Sequence, residues 1–121
     1  MKPQVLRAVC SDEYFTEERC HILELSNSTS DSGLSIARAR GEPGVTTALH
    51  RVFDTVERYV ILSGSGRVEI EGLEACAVEP NDVVIIPQDA TQRITNTADV
   101  DLIFLAICTP RFLPKCYEHL E

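Results

Sequence analysis

At 121 residues, 44% hydrophobic and 25% charged, the chain has the size and balance of one globular domain and is too short for two cores. The 19 acidic residues outnumber the 11 basic ones and give a net charge of −8, a field that repels phosphate backbones and anionic lipid and argues against nucleic acid or a membrane surface as partner. No apolar run approaches the ~20 residues of a membrane span, and Met1–Val9 lacks the apolar stretch and cleavage site of a signal peptide, so a cytoplasmic protein is expected.

Helix signals are confined to the start, where Ser11, Asp12 and Glu13 predict a capped turn running through Tyr14–Glu18. From there the chain reads as strand, turn, strand. His21–Leu25 is closed by the polar loop Ser26–Gly33, and Leu34–Arg40 alternates apolar residues with Ser and Arg until Gly41-Glu-Pro-Gly44 turns it. Thr46–Phe53 and Glu57–Leu62 follow, and Gly64-Ser-Gly66 makes a hairpin into Arg67–Ile70. Ala75–Val78, Val83–Ile86, Thr91–Thr95 and Leu102–Cys108 complete the set, and Thr109–Glu121, with Pro110 and Pro114, is expected to lie over the surface. Short strands at spacings of roughly 8–12 residues predict an all-β sandwich or small barrel with room for one small ligand in its mouth.

The five cysteines, Cys10, Cys20, Cys76, Cys108 and Cys116, are odd in number and show no close metal or redox spacing. All five are read as reduced thiols, with Cys76 and Cys108 packed among apolar neighbours. Cys20 and His21 are adjacent, but neighbouring strand residues face opposite ways and do not easily share an ion.

Chemistry concentrates in Gly44–Gly64. Strand alternation puts Ala48, His50 and Val52 on one face and Glu57, Tyr59 and Ile61 on another. If these are barrel-facing sets, Glu57 is a carboxylate in an apolar interior and has to be paired, protonated or metal-bound. The simplest arrangement is a hydrogen-bonded cluster of Glu57, His50 and Gln92. Tyr59 shares the inner face and is a candidate proton donor to a ligand, whereas Arg58 and Arg93 point outward. His21 borders this region, His119 is read as a solvated tail residue, and Asp54 and Thr55 occupy a loop near the expected mouth.

The spacing of Gly44, His50, Glu57 and Gly64 resembles the first motif of the cupin superfamily, G-x5-H-x-H-x4-E-x6-G. Asn81–Asn96 resembles its second motif, G-x5-P-x-G-x2-H-x3-N, through Pro87 and Asn96. The resemblance implies a single cupin domain over 1–121, a double-stranded β-helix or jelly-roll barrel, with its core at about 20–109 and peripheral end segments. It also implies a homodimer and one divalent metal ion (Mn, Fe, Ni or Zn) held by His50, Glu57 and Gln92. Here Val52 and Gln92 stand where the family has histidines, and Asn81 and Asp89 stand where it has glycines. One imidazole and two oxygen donors would suit Mn²⁺, Fe²⁺ or Mg²⁺ better than Zn²⁺. Two functions follow as expectations: a small metal-assisted enzyme with dioxygenase- or isomerase-like chemistry and Tyr59 as its proton donor, or a metal-free module that binds or senses a small organic metabolite. A third reading makes the chain chiefly an assembly subunit. No nucleotide cofactor is expected, because Gly64-Ser-Gly66 lacks a following helix to receive a phosphate.

Overall fold

The computed structural model describes residues 1–121. Its strands are β1 (Tyr14–Phe15), β2 (His21–Ser26), β3 (Ser35–Gly41), β4 (His50–Val52), β5 (Val56–Ser63), β6 (Gly66–Ile70), β7 (Cys76–Val78), β8 (Val83–Ile86), β9 (Gln92–Asn96), β10 (Leu102–Thr109) and β11 (Tyr117–His119). They form a six-stranded sheet in the order β1-β2-β3-β10-β5-β8 and a five-stranded sheet in the order β11-β4-β9-β6-β7. All pairings are antiparallel. No helix is long and apolar enough to cross a membrane. The expected all-β, double-sheet barrel is what the chain adopts.

Alternation explains why these segments are strands. Along β5, Glu57, Tyr59 and Ile61 are buried while Arg58 and Val60 are not, and along β9 Gln92, Ile94 and Asn96 turn inward. The aliphatic core gathers toward one end, where Ile61, Val68, Ile86, Ile94 and Leu102 are almost fully buried. Each such side chain stabilises the fold by about 1.5–3 kcal/mol. Toward the other end the inward positions of β3 and β10 carry Ser35, Ala37 and Ala106, side chains too small to fill the barrel, and a cavity of about 370 Å³ opens there. The size of these residues is what makes room for a ligand.

Special backbone positions account for several motif residues. Gly64 has φ +82, and a Cβ there would lie 2.6 Å from the carbonyl oxygen of Asp101. Asn81 and Asp89, which replace the glycines of the second motif, sit at φ 79 and 69. Asn and Asp are the non-glycine residues that best tolerate this left-handed region, so the geometry survives the replacement. Asn96 is a structural clamp: its amide donates to the carbonyls of Gly41 (2.9 Å) and Val100 (2.8 Å), and its carbonyl accepts from the Ala98 amide (2.9 Å).

Four local expectations are corrected. The turn predicted through Tyr14–Glu18 is instead a 3-10 turn at Cys10–Asp12, after which Tyr14 and Phe15 pair with β2. No helically spaced apolar face follows Glu13, so pairing with a neighbouring strand wins. The strand expected over Thr46–Phe53 is regular only at His50–Val52, because the backbone of Thr46–Leu49 takes irregular partners. The Ala48 amide donates to the Glu18 carbonyl (3.0 Å), and the Leu49 carbonyl accepts from the Leu120 amide (2.9 Å). The tail is not a surface cover; it forms β11, which pairs with β4 in the register Tyr117↔Val52 and His119↔His50. Cys76 is exposed on edge strand β7, whereas Cys20, Cys108 and Cys116 are buried; all five thiols are free.

Candidate functional site

Gln92 joins the two sheets. Its Nε2 donates to Glu57 Oε1 at 2.9 Å, and its Oε1 accepts the Tyr59 hydroxyl, so one amide engages both inward-facing polar side chains of β5. The register of β5 against β10 sets Cys108 opposite Glu57, and its thiol approaches Glu57 Oε2 at 3.8 Å. Burial raises the Glu57 pKa, opposed chiefly by the Gln92 hydrogen bond. Burial also holds the Cys108 thiol protonated, its pKa pushed up to about 12, and drives Tyr59 well above its ordinary value. Glu57, Tyr59 and Cys108 line the cavity, and Gln92 lies fully buried behind them.

His50 lies in register with Gln92 but makes different contacts. Its Nδ1 is 2.7 Å from the Ala48 carbonyl oxygen. A carbonyl only accepts, so Nδ1 carries the proton and Nε2 keeps its lone pair. Burial, opposed by the Ala48 carbonyl, lowers the His50 pKa and keeps the ring neutral. Tyr117, brought in by β11, stacks on this ring at 5.2 Å between centroids.

Facing Nε2, at 3.8 Å, is a carboxylate oxygen of Glu18. The loop between β1 and β2 presents it. The Arg19 amide donates to the Thr16 carbonyl (3.0 Å) and the Thr16 amide to the Cys20 carbonyl (2.9 Å), with Arg19 in the left-handed region at φ 69. Burial and the neighbouring Glu17 raise the Glu18 pKa to about 7. Ala48 orients both members of the pair, since its amide holds the Glu18 carbonyl (3.0 Å) while its own carbonyl holds His50 Nδ1 (2.7 Å). The Arg19 guanidinium reaches the Thr46 carbonyl (2.9 Å) and both Glu121 oxygens (3.1 Å), and Glu121 Oε2 accepts the Leu49 amide (2.7 Å).

The structure therefore brings Glu57, Tyr59 and Gln92 into one chain and sets His50 beside it, aimed at a residue that the sequence reading did not single out. Neither Glu18 nor Tyr117 carries a motif signal. The link from Glu18 to the site is a backbone hydrogen bond, and Tyr117 lies in a tail that shows no strand alternation. The remaining candidates lie elsewhere. His21 Nε2 is 2.9 Å from Glu42, Arg93 binds Glu69 at 2.6 Å, and Arg58 donates to Thr109 and to the Val56 carbonyl. Exposed His119 meets the Tyr117 hydroxyl at 3.1 Å. Thr55 is buried, its hydroxyl donating to the Pro110 carbonyl at 2.6 Å beside left-handed Asp54. It anchors the loop after β10.

The fold matches that of known proteins. Over 110 residues the chain is 30% identical to an uncharacterized protein of Methanocaldococcus jannaschii, a match covering 89% of this chain and 87% of that one. Pac13, a nucleoside dehydratase of Streptomyces, superposes with TM-score 0.78 at 13% identity over 98% of this chain and 92% of its own. The cupin domain of Cnp3 from Schizosaccharomyces pombe superposes with TM-score 0.70 at 11% identity, covering 84% of this chain and 72% of that one. The chain has the cupin fold. No protein-family model matches it. The donor set of this cupin does not fit a divalent ion as the side chains stand: both amide atoms of Gln92 and both oxygens of Glu57 have protein partners. Val52 offers no donor, and no three His, Cys, Asp or Glu side chains converge on a point that could hold an ion.

Proposed function

We propose that this cupin binds a small organic metabolite in its barrel and transfers protons on it without a metal, with Glu18 as donor and His50 Nε2 as acceptor. The observation that carries the reading is the oriented pair itself: a neutral imidazole, its tautomer fixed by the Ala48 carbonyl, facing a carboxyl group across 3.8 Å at the cavity wall. Burial holds a proton on Glu18 up to about pH 7 and keeps the imidazole neutral, so a donor and an acceptor face each other. An acceptor that removes a proton beside a donor that returns one suits an isomerisation or an elimination. Tyr59 acts indirectly in this scheme, because its hydroxyl proton is committed to Gln92 and that contact fixes the amide that holds Glu57.

The acidic balance supports a small molecule as partner rather than nucleic acid or a membrane. We also read the protein as a homodimer. The observation in favour is edge strand β8, whose Val83 and Ile85 are 57% and 64% exposed.

Elemental analysis of protein purified without chelator, before and after incubation with Mn²⁺ and Fe²⁺, tests the metal-free part. Nitrogen NMR of labelled histidine tests the pair. The expected result is substoichiometric metal, an unchanged melting temperature in EDTA, and a neutral Nδ1–H His50 at pH 7. Stoichiometric metal that disappears in both His50→Ala and Glu57→Ala would instead establish the metal-assisted enzyme.

A further inference from the structure

The cavity is walled by carboxyl groups that have no counter-ion of their own. Glu17, Glu18, Glu24 and Glu57 line it, and no Lys or Arg does. Glu57 is satisfied internally by Gln92 and Cys108, which leaves the other three around the mouth. The guanidinium groups nearby are engaged elsewhere: Arg19 with Glu121, Arg38 and Arg40 with Glu13, and Arg51 with Glu118. The same cavity is lined by the aromatic residues Tyr14, Phe112 and Tyr117. A second feature points to a ligand independently of the charges. The His50 side chain is only 3% exposed, yet its Nε2 has no hydrogen-bond partner and faces Glu18 at 3.8 Å across the pocket wall.

Carboxylates together with aromatic rings in one partly desolvated cavity are the chemistry that recognises ammonium groups. An anionic ligand would meet only repulsion here, while a cation supplies the missing countercharge. We propose that the pocket takes a small organic cation, an amine on an apolar or aromatic body, with the ammonium held between Glu17, Glu24 and the neighbouring aromatic rings and the body directed toward Glu18 and His50. The proposal rests on the reading of the cavity as a ligand site served by that pair. At about 370 Å³ the space is within the range of pockets for small organic molecules.

Three probes of one shape separate the possibilities: phenethylamine, 2-phenylethanol and phenylacetate carry a positive, a neutral and a negative head on the same body. Calorimetry and thermal shift at pH 7.5 are expected to rank them in that order, with phenylacetate giving no stabilisation. Glu17→Gln and Glu24→Gln, both at exposed positions, should each weaken phenethylamine about two- to fivefold and leave 2-phenylethanol unchanged. Phenylacetate binding as well as phenethylamine, or no binding by any of the three, overturns the cationic assignment. The NMR signature of His50 reads the acid–base pair separately. A neutral Nδ1–H ring with failed amine binding would sink this inference alone, whereas a protonated or metal-bound ring would sink the underlying reading as well.

Discussion

A single amide decides what the motif residues of this cupin can do. Gln92 is fully buried and partners both the Tyr59 hydroxyl and Glu57. Gln92→Leu keeps the volume but strands a buried phenol and a buried carboxyl group, and it is expected to cost about 2–4 kcal/mol in urea denaturation. A loss below about 0.5 kcal/mol would show that those groups find other partners. Glu18 gives a prediction of opposite sign. Its folded pKa, about 7, lies above the unfolded value of 4.5, so the folded state binds the extra proton. Its stabilising effect is complete below the unfolded value and is lost as pH rises through about 7. Glu18→Gln should therefore leave stability at pH 5 nearly unchanged and raise it at pH 8 by on the order of 1–3 kcal/mol. Equal melting-temperature differences at the two pH values would count against the shift.

At the scale of elements, turns and register carry the specificity. Gly64 and Gly72 share a left-handed backbone, but a Cβ at Gly64 meets the Asp101 backbone while one at Gly72 meets nothing within 4 Å. Gly72→Ala should cost about 1–2 kcal/mol, the conformational term alone. Gly64→Ala should cost clearly more, and equal losses in thermal unfolding would refute the close-approach argument. Much of this level was legible in the residues. Val83–Ile86 is an apolar run that begins after the Pro80-Asn81-Asp82 turn and stops at Pro87, as its residues imply, and the positions of His50, Glu57, Pro87 and Asn96 follow the motif spacing. What could not be read is where Thr46–Leu49 finds its partners. Thr46 and Thr47 meet Arg19, Thr95 and Ile94, and Ala48 and Leu49 meet Glu18, Leu120 and Glu121, residues 27 to 72 positions away. Local propensity carries no record of such pairings, so Glu18 and Tyr117 stayed invisible while the weaker candidate Gln92 was found.

Across the whole molecule, the six-stranded sheet ends on β8 with Val83 and Ile85 facing solvent, next to Leu62, itself 47% exposed. An apolar edge of this kind in a chain of net charge −8 is a place for a second copy rather than for an anionic partner. Light scattering behind size exclusion is expected to give a dimer mass for the native chain and a monomer mass for Ile85→Lys. A native monomer at tens of micromolar would reject the assembly.

The two walls of the pocket come from nearly opposite regions of the sequence, Tyr14–Cys20 and Phe112–Tyr117; the first is fastened to Thr46 and Ala48, and the second to Val52 and Phe53 on the same segment. Contacts this far apart in sequence carry a loop-closure cost that local pairings do not, so docking of the two walls is expected to lag the pairing of the barrel's hairpins. A ligand recognises only chains in which both walls are in place, and its binding energy is delivered to that final docking step. A ligand that binds here is therefore expected to couple the end segments to the barrel: in its presence they should melt as one unit, and without it the ends should open first.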